Sequence, residues 1–179
     1  MYDRVATPLP RPKTMMRALA TTGALAAALG HAAPADARGA QNRLDPTERK
    51  VIRLINAQRA ARGLGLLTAN RRLSRSADYH SWDMLRGNFF AHASANGASF
   101  QGRVRRYSQA GRVGENLAYV PKGQGRGQAE RVVGMWMRSP SHQAVLLNPG
   151  FRKIGVARRA GTLGRIRATV FTADLSSRR

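Results

Sequence analysis

The chain has 179 residues, with 31 Lys and Arg against 9 Asp and Glu, 4 His and no Cys. The length suits one domain, or one domain with a tail, and an apolar content of 42% supplies a core, which excludes a wholly disordered chain. No apolar run approaches the roughly 18 residues of a membrane-spanning helix. The lack of Cys excludes a disulfide framework, thiolate metal ligation and a Cys nucleophile.

Residues 1–37 read as a secretory signal. Arg11, Lys13 and Arg17 precede an Ala-rich stretch from Ala18 to Gly30, and Ala35-Asp36-Ala37 is a small-residue cleavage pattern. Met15 or Met16 would start a more compact signal than Met1. The leader holds four basic and two acidic residues, so cleavage after Ala37 leaves 142 residues and lowers the charge from +22 to +20. The expected location is outside the cell membrane, extracellular or periplasmic. The expected organisation is a short lead-in over 38–44, a folded domain over 45–175 and a polar tail over 176–179.

Asp45-Pro46-Thr47-Glu48 predicts a helix start, with Asp45 as cap, Pro46 at the first helical position and Glu48 completing a capping box. Val51, Ile52 and Ile55 mark its inner face, and Gly63 is a fitting stop. Asn70 caps a second helix to about Arg86, with Leu73, Ala77, Met84 and Leu85 inward and Gly87 as its stop. Phe100, Val104 and Tyr107 predict a short third helix. Leu117–Val120 is a candidate strand, and Pro121–Gly127 a Gly-rich connector without a phosphate-loop signature. Ala129, Val132, Val133, Trp136 and Met137 form the clearest helical stripe in the chain, ending at Ser139-Pro140. A short helix is expected over Ser141–Leu147, then strands near Ile154–Arg158 and Arg165–Ala173 with a turn at Ala160-Gly161-Thr162. The fold class is α+β. Helices on both faces of a small antiparallel sheet, a three-layer α-β-α sandwich, would bury all these stripes.

Seven acidic residues and three His follow the leader. Asp45 and Glu48 serve a cap, Asp78 and Asp83 are expected in solvent, and Asp174 at the C-terminal edge. Glu115 stands between Gly114 and Asn116, where an apolar strand begins, and has no evident structural use. His92 follows two Phe, and His142 follows Ser-Pro-Ser. All three sit at element boundaries, where site residues tend to be displayed. The plain alternative for each His is a satisfied core or surface group. Ser139 and Ser141 beside His142 suggest a nucleophile. That role needs a base within about 3 Å and a third group orienting the base, and neighbours on a turn seldom face each other that way. Ser139-Pro140-Ser141 is expected instead as a helix stop and a new N-cap.

Several motifs in order carry a resemblance: Asn56-x-x-Arg59-x-x-x-Gly63-Leu64, Ala77-x-x-His80-Ser81-x-Asp83-Met84, Phe90-x-His92, Gly114-Glu115-Asn116-Leu117-Ala118, Trp136-Met137-x-Ser139-Pro140-x-His142 and Phe151-x-x-Ile154-Gly155-Val156. Together they resemble the CAP superfamily, the cysteine-rich secretory protein, antigen 5 and pathogenesis-related 1 group, in its Cys-free bacterial form. The resemblance spans about residues 45–175. It implies the α-β-α sandwich and a cleft lined by two His and two acidic residues. His92, Glu115 and His142 match three of these, while the second acidic position falls near Ser139. The implied ligand cleft is therefore His92, Glu115, Asn116, Ser139 and His142. Zn²⁺ or another divalent cation is the candidate cofactor, on His92 and His142, with Glu115 as third ligand or as the acceptor that fixes a ring tautomer. A hydrogen-bonded His–Glu–His cluster that only pins sheet to helices is the plain alternative.

The charge is nearly all Arg, spread along helix faces. Without a recognisable reading helix or stacking aromatics, nucleic acid is not the expected partner. Anionic envelope polymers or lipid head groups are, for a monomer with no transmembrane segment. The plain alternative is Arg at ordinary solvated positions. The expected function is binding of a lipid or cell-envelope ligand. The rival is a metal-assisted hydrolase of peptide or envelope substrate, with Glu115 as general base and the metal lowering the pKa of its water.

Overall fold

The computed structural model describes residues 44–123 and 127–177. The expected signal, most of the lead-in and the last two residues lie outside the described residues. Helix α1 (Pro46–Ala60) opens on the expected capping box: Asp45 accepts from the Glu48 N–H at 2.8 Å, and Glu48 accepts from the Asp45 N–H at 2.7 Å. Strand β1 (Thr68–Ala69) leads into α2 (Arg71–Gly87), whose cap Asn70 accepts from the N–H groups of Arg72 and Leu73. Gly87 lies inside α2, and the left-handed terminal residue is Asn88, with φ 52°. Helix α3 (Phe100–Tyr107), strand β2 (Val113–Pro121), helices α4 (Gln128–Arg138) and α5 (Pro140–Leu146), and strands β3 (Lys153–Leu163) and β4 (Ile166–Ser176) complete the order.

The four strands lie in the order β1-β3-β4-β2. The pairings of β3 and β2 with β4 are antiparallel, as expected, but β1 adds a short parallel pairing to β3. Two residues are too few to show an alternating pattern, so β1 was not legible in the sequence. The β3–β4 turn is not at Ala160–Thr162. Those residues pair within the ladder, and the chain reverses at Gly164 and Arg165, where Gly164 takes φ 63°. A glycine first in a two-residue loop matches the twist of the flanking strands. Strand β4 runs on to Ser176, so Asp174 is inside the sheet and the first residue of the expected tail ends a strand.

The main core lies between one face of the sheet and helices α1, α4 and α5. It includes Val51, Ile55, Trp136, Leu146, Val156, Phe171 and Leu175. Trp136 is 1% exposed and its Nε1 donates to the Leu117 carbonyl at 2.9 Å. Helix α2 covers the other face, packed along β3 and β4. The three layers are those of the expected sandwich.

Candidate functional site

Strand β2 begins at Val113, four residues before its apolar run, so Glu115 and Asn116 belong to the sheet. Successive side chains of a strand point to opposite faces. Glu115 pairs with Asp174, and Asp174 with Gly155, which packs against the α2 backbone at Leu73. Glu115 therefore faces the α2 layer and Asn116 the α1/α4 layer.

Glu115 is 4% exposed, and its carboxylate is held on both oxygens. Oε1 accepts from His92 Nδ1 at 2.8 Å, and Oε2 is paired with Arg103. Burial pushes the Glu115 pKa up. The His92 hydrogen bond and the Arg103 charge outweigh that, and the net shift is down, so the group is ionised at neutral pH. Arg103, 3% exposed on α3, also donates to the His92 carbonyl at 3.1 Å and to Ser94 Oγ at 2.8 Å. One guanidinium thus fixes both the carboxylate and the loop that carries the His92 ring. That side chain is 51% exposed, with Nδ1 bound to Glu115.

His142 stands in the first turn of α5. Its Nδ1 is 2.8 Å from Ser139 Oγ, and its backbone carbonyl accepts from Asn116 Nδ2 at 3.0 Å. Burial lowers its pKa, and the His92 charge lowers it further, so His142 is neutral at neutral pH. Asn116 is fully buried and braces α5 against β2. The expectation that Ser139 and His142 would not face each other fails. Pro140 starts α5 immediately, which places Ser139 and His142 three residues apart at its first turn, within reach on one side. The Ser139 hydroxyl makes no cap bond to the backbone. Among the described residues nothing holds His142 Nε2, so the pair lacks the orienting third group of a nucleophilic triad.

Three members of the cluster are not evident as site residues in the sequence. His80, fully buried on α2, donates from Nε2 to the Ala91 carbonyl at 2.9 Å and lies 4.0 Å from Glu115 Oε2. Burial, against the pull of Glu115, lowers its pKa to about 4. Arg103 lies three residues after Phe100, on a stripe that reads as purely apolar. Asp174 is fully buried, and burial followed by the Glu115 charge pushes its carboxyl well above the usual range, which favours the protonated form. The expectation of solvated aspartates also fails in part. Asp83 is 7% exposed and accepts from the Ala95 N–H at 2.9 Å, while Asp78 is paired bidentately with Arg159 at 2.6 and 2.7 Å. A separate cavity of about 250 Å³ lies between the starts of α1 and α2 and strand β3, and none of His92, Glu115, Ser139 or His142 lines it.

A model of the cysteine-rich secretory protein family, CAP, matches residues 52–173, two-thirds of the chain. The chain belongs to the CAP family. One CAP relative, the uncharacterized protein YkwD of Bacillus subtilis (strain 168), is 37% identical over 110 residues, which is 61% of this chain and 41% of that protein. The chain thus spans under half the length of that relative. The CAP fold here is similar to an outer surface protein from Borrelia burgdorferi, with a TM-score of 0.64 at 24% identity over 76% of this chain and 97% of that one. It is also similar to an extracellular SCP-domain protein from Bacillus anthracis str. Ames, with a TM-score of 0.60 at 23% identity over 76% and 45%. No helix among the described residues of this CAP domain is long and apolar enough to cross a membrane.

Proposed function

We propose that this CAP domain is exported and binds a ligand of the cell envelope, a lipid or a polymer fragment, between His92 and His142. The supporting observation is the fixed Glu115–His92 pair: a buried, ionised carboxylate bound to Nδ1 holds a half-exposed imidazole with Nε2 outward. In that tautomer His92 presents an acceptor. With Ser139 donating to Nδ1, His142 presents an Nε2–H donor. An acceptor beside a donor suits a hydroxyl, phosphate or amide of the ligand. Export is supported by two proteins of similar fold, the outer surface protein of Borrelia burgdorferi and the extracellular protein of Bacillus anthracis.

A divalent cation is the second reading, because both Nδ1 atoms are engaged and both Nε2 atoms are left. Glu115 already holds His92 and Arg103, and among the described residues no three His, Asp or Glu are grouped to hold an ion. In this reading His92 and His142 would hold the ion, Glu115 would be the outer acceptor, and the ion would supply Lewis acidity.

Two measurements test these readings. The purified chain is incubated with envelope lipid and polymer extracts, and bound material is identified by mass spectrometry. We expect capture of unaltered ligand, reduced in His92→Ala and Glu115→Gln. Metal-dependent turnover of the extract would overturn the binding reading in favour of hydrolysis. Isothermal titration of Zn²⁺ into wild type, His92→Ala, His142→Ala and the double variant tests the cation. A shared site predicts equal losses, and wild-type heat no greater than that of the double variant removes the metal reading.

A further inference from the structure

The sequence suggests arginines scattered along helix faces, but α2 gathers four of them. Its exposed side chains before Gly87 are Arg71, Arg72, Arg75, Tyr79, Trp82 and Arg86, and no others. Residues 71, 75, 79, 82 and 86 follow one another at three- and four-residue steps, so they form one stripe along the helix. This stripe is the reverse of the face that buries Leu73, Ala77, His80 and Met84. Among the described residues, Arg71, Arg72 and Arg75 make no side-chain ion pair. At its margin Asp78 is paired with Arg159, and Asp45 and Glu48 at the start of α1 line the same cavity as Arg71 and Arg75. The exposed face of α2 itself therefore carries four arginines and no acid. Tyr79 and Trp82 are 41% and 39% exposed, with ring centroids 5.8 Å apart, and the Arg86 guanidinium lies 5.0 Å over the Trp82 ring.

We propose that this stripe is a docking face for a bilayer containing anionic phospholipid. Trp82 and Tyr79 seat at the boundary between head groups and acyl chains, and the arginines meet lipid phosphates. Three features select this partner. Half-exposed Trp and Tyr flanked by arginines on one helix face is the composition of interfacial helices, each ring having an apolar body and a polar tip. The face is an outward-facing helix at the surface of the sandwich, which meets a plane along its length. Bases of a nucleic acid need open ring faces on which to stack, and here Arg86 covers one Trp82 face while Tyr79 stands against the ring. The stripe is separate from the site proposed at His92 and His142, and its docking does not depend on what that site holds.

The test uses the full chain and vesicles of phosphatidylcholine, with or without phosphatidylglycerol. The chain has two tryptophans, and Trp136 is buried, so quenching by brominated acyl chains reports Trp82. We expect binding only to the anionic vesicles, falling steeply with salt, with quenching of part of the emission. The variant Arg71→Gln/Arg75→Gln/Arg86→Gln should weaken binding about a hundred-fold. The control Arg53→Gln/Arg106→Gln/Arg165→Gln, with the same net charge, should weaken it by about tenfold at most. Trp82→Ala should abolish the quenching and weaken binding. The quenching in wild type stands even if a variant fails to fold. Equal losses in the two triple variants, or vesicle-bound wild type with no quenching, would overturn the proposal. Binding of double-stranded DNA as tightly as anionic vesicles, through the same three arginines, would reassign the stripe to soluble polyanions and overturn it as well.

Discussion

Buried His80 makes the domain sensitive to mild acid. In the folded chain its pKa is lowered from 6.5 to about 4, by burial first, while in the unfolded chain it titrates as an ordinary imidazole. Between those values the unfolded state binds a proton that the folded state refuses, so stability falls as pH falls through this window. At about 1.4 kcal/mol per pH unit the full loss is about 3 kcal/mol. Glu48 and Asp174 act in the opposite sense, because their raised carboxyl pKa values favour the folded state on acidification. The wild-type curve alone therefore does not isolate His80. The informative quantity is the difference between wild type and His80→Gln, which keeps an N–H donor in reach of the Ala91 carbonyl and cannot ionise. Urea titrations at about pH 7 and about pH 4 should show wild type losing about 3 kcal/mol more than the variant. Parallel losses would mean that His80 is not held neutral by its surroundings, and the account of the buried side of the site would fail.

Two further substitutions probe the frame around the site. Trp136→Ala should cost about 3–5 kcal/mol in reversible denaturation, since it empties the centre of the α4 stripe and leaves the Leu117 carbonyl without its donor. A loss below about 1 kcal/mol would contradict the buried placement. Arg59 is fully buried and donates to the carbonyls of Gly65, Leu146, Asn148 and Phe151, binding the end of α5 to α1. Arg59→Met should cost about 3 kcal/mol through stranded carbonyls, and hydrogen exchange should rise at the end of α5 before the rest of the fold. Uniform exchange across the chain would refute that local role.

The elements with strong local signals were legible: the capping box at Asp45, the Asn70 cap and the Ala129–Met137 stripe each needed only neighbours in sequence. The glycines mislead, because a glycine marks either a turn or a close approach, and residues alone do not distinguish them. Gly161 reads as a turn, yet it lies in β3, where a Cβ would stand 3.0 Å from the Leu85 methyls. Gly114 reads as a bracket before β2, but it lies inside the strand, where a Cβ would stand 2.9 Å from the Phe151 ring. The site divides in the same way. His92, Glu115 and His142 are visible as polar residues at apolar boundaries. Their supports are not, since Arg103, His80 and Asp174 acquire meaning only when α3, α2 and β4 are laid against Glu115. A signal exists for His80, which shares the inner stripe of α2 with Leu73, Ala77 and Met84, and for Arg103 beside Phe100 and Val104. A polar residue on an apolar stripe marks a buried partner elsewhere in the fold.

The charges around Glu115 determine how the proposed site treats a cation. Glu115 is ionised, but Arg103 cancels it; His80 is neutral, and burial drives Asp174 toward its neutral form. The buried side therefore offers no net negative charge toward His92 and His142. Ser139 adds none, where an acidic residue would have placed a carboxylate beside the His142 ring. A dication would meet two imidazoles with no local anion to offset its charge, and its binding should be weak. The reasoning predicts a gain of function. Ser139→Glu should raise Zn²⁺ affinity about tenfold or more, because the new carboxylate adds both a donor atom and an uncancelled charge. It should also raise the pKa of His142, which now lies below its ordinary value, by giving the imidazolium a partner. Calorimetric titration and NMR of the ring protons measure the two effects separately. Zn²⁺ affinity unchanged in Ser139→Glu, with the His142 pKa raised as expected, would mean that the two Nε2 atoms do not converge on one point, and the two-nitrogen site would be wrong in its geometry and not merely in its charge.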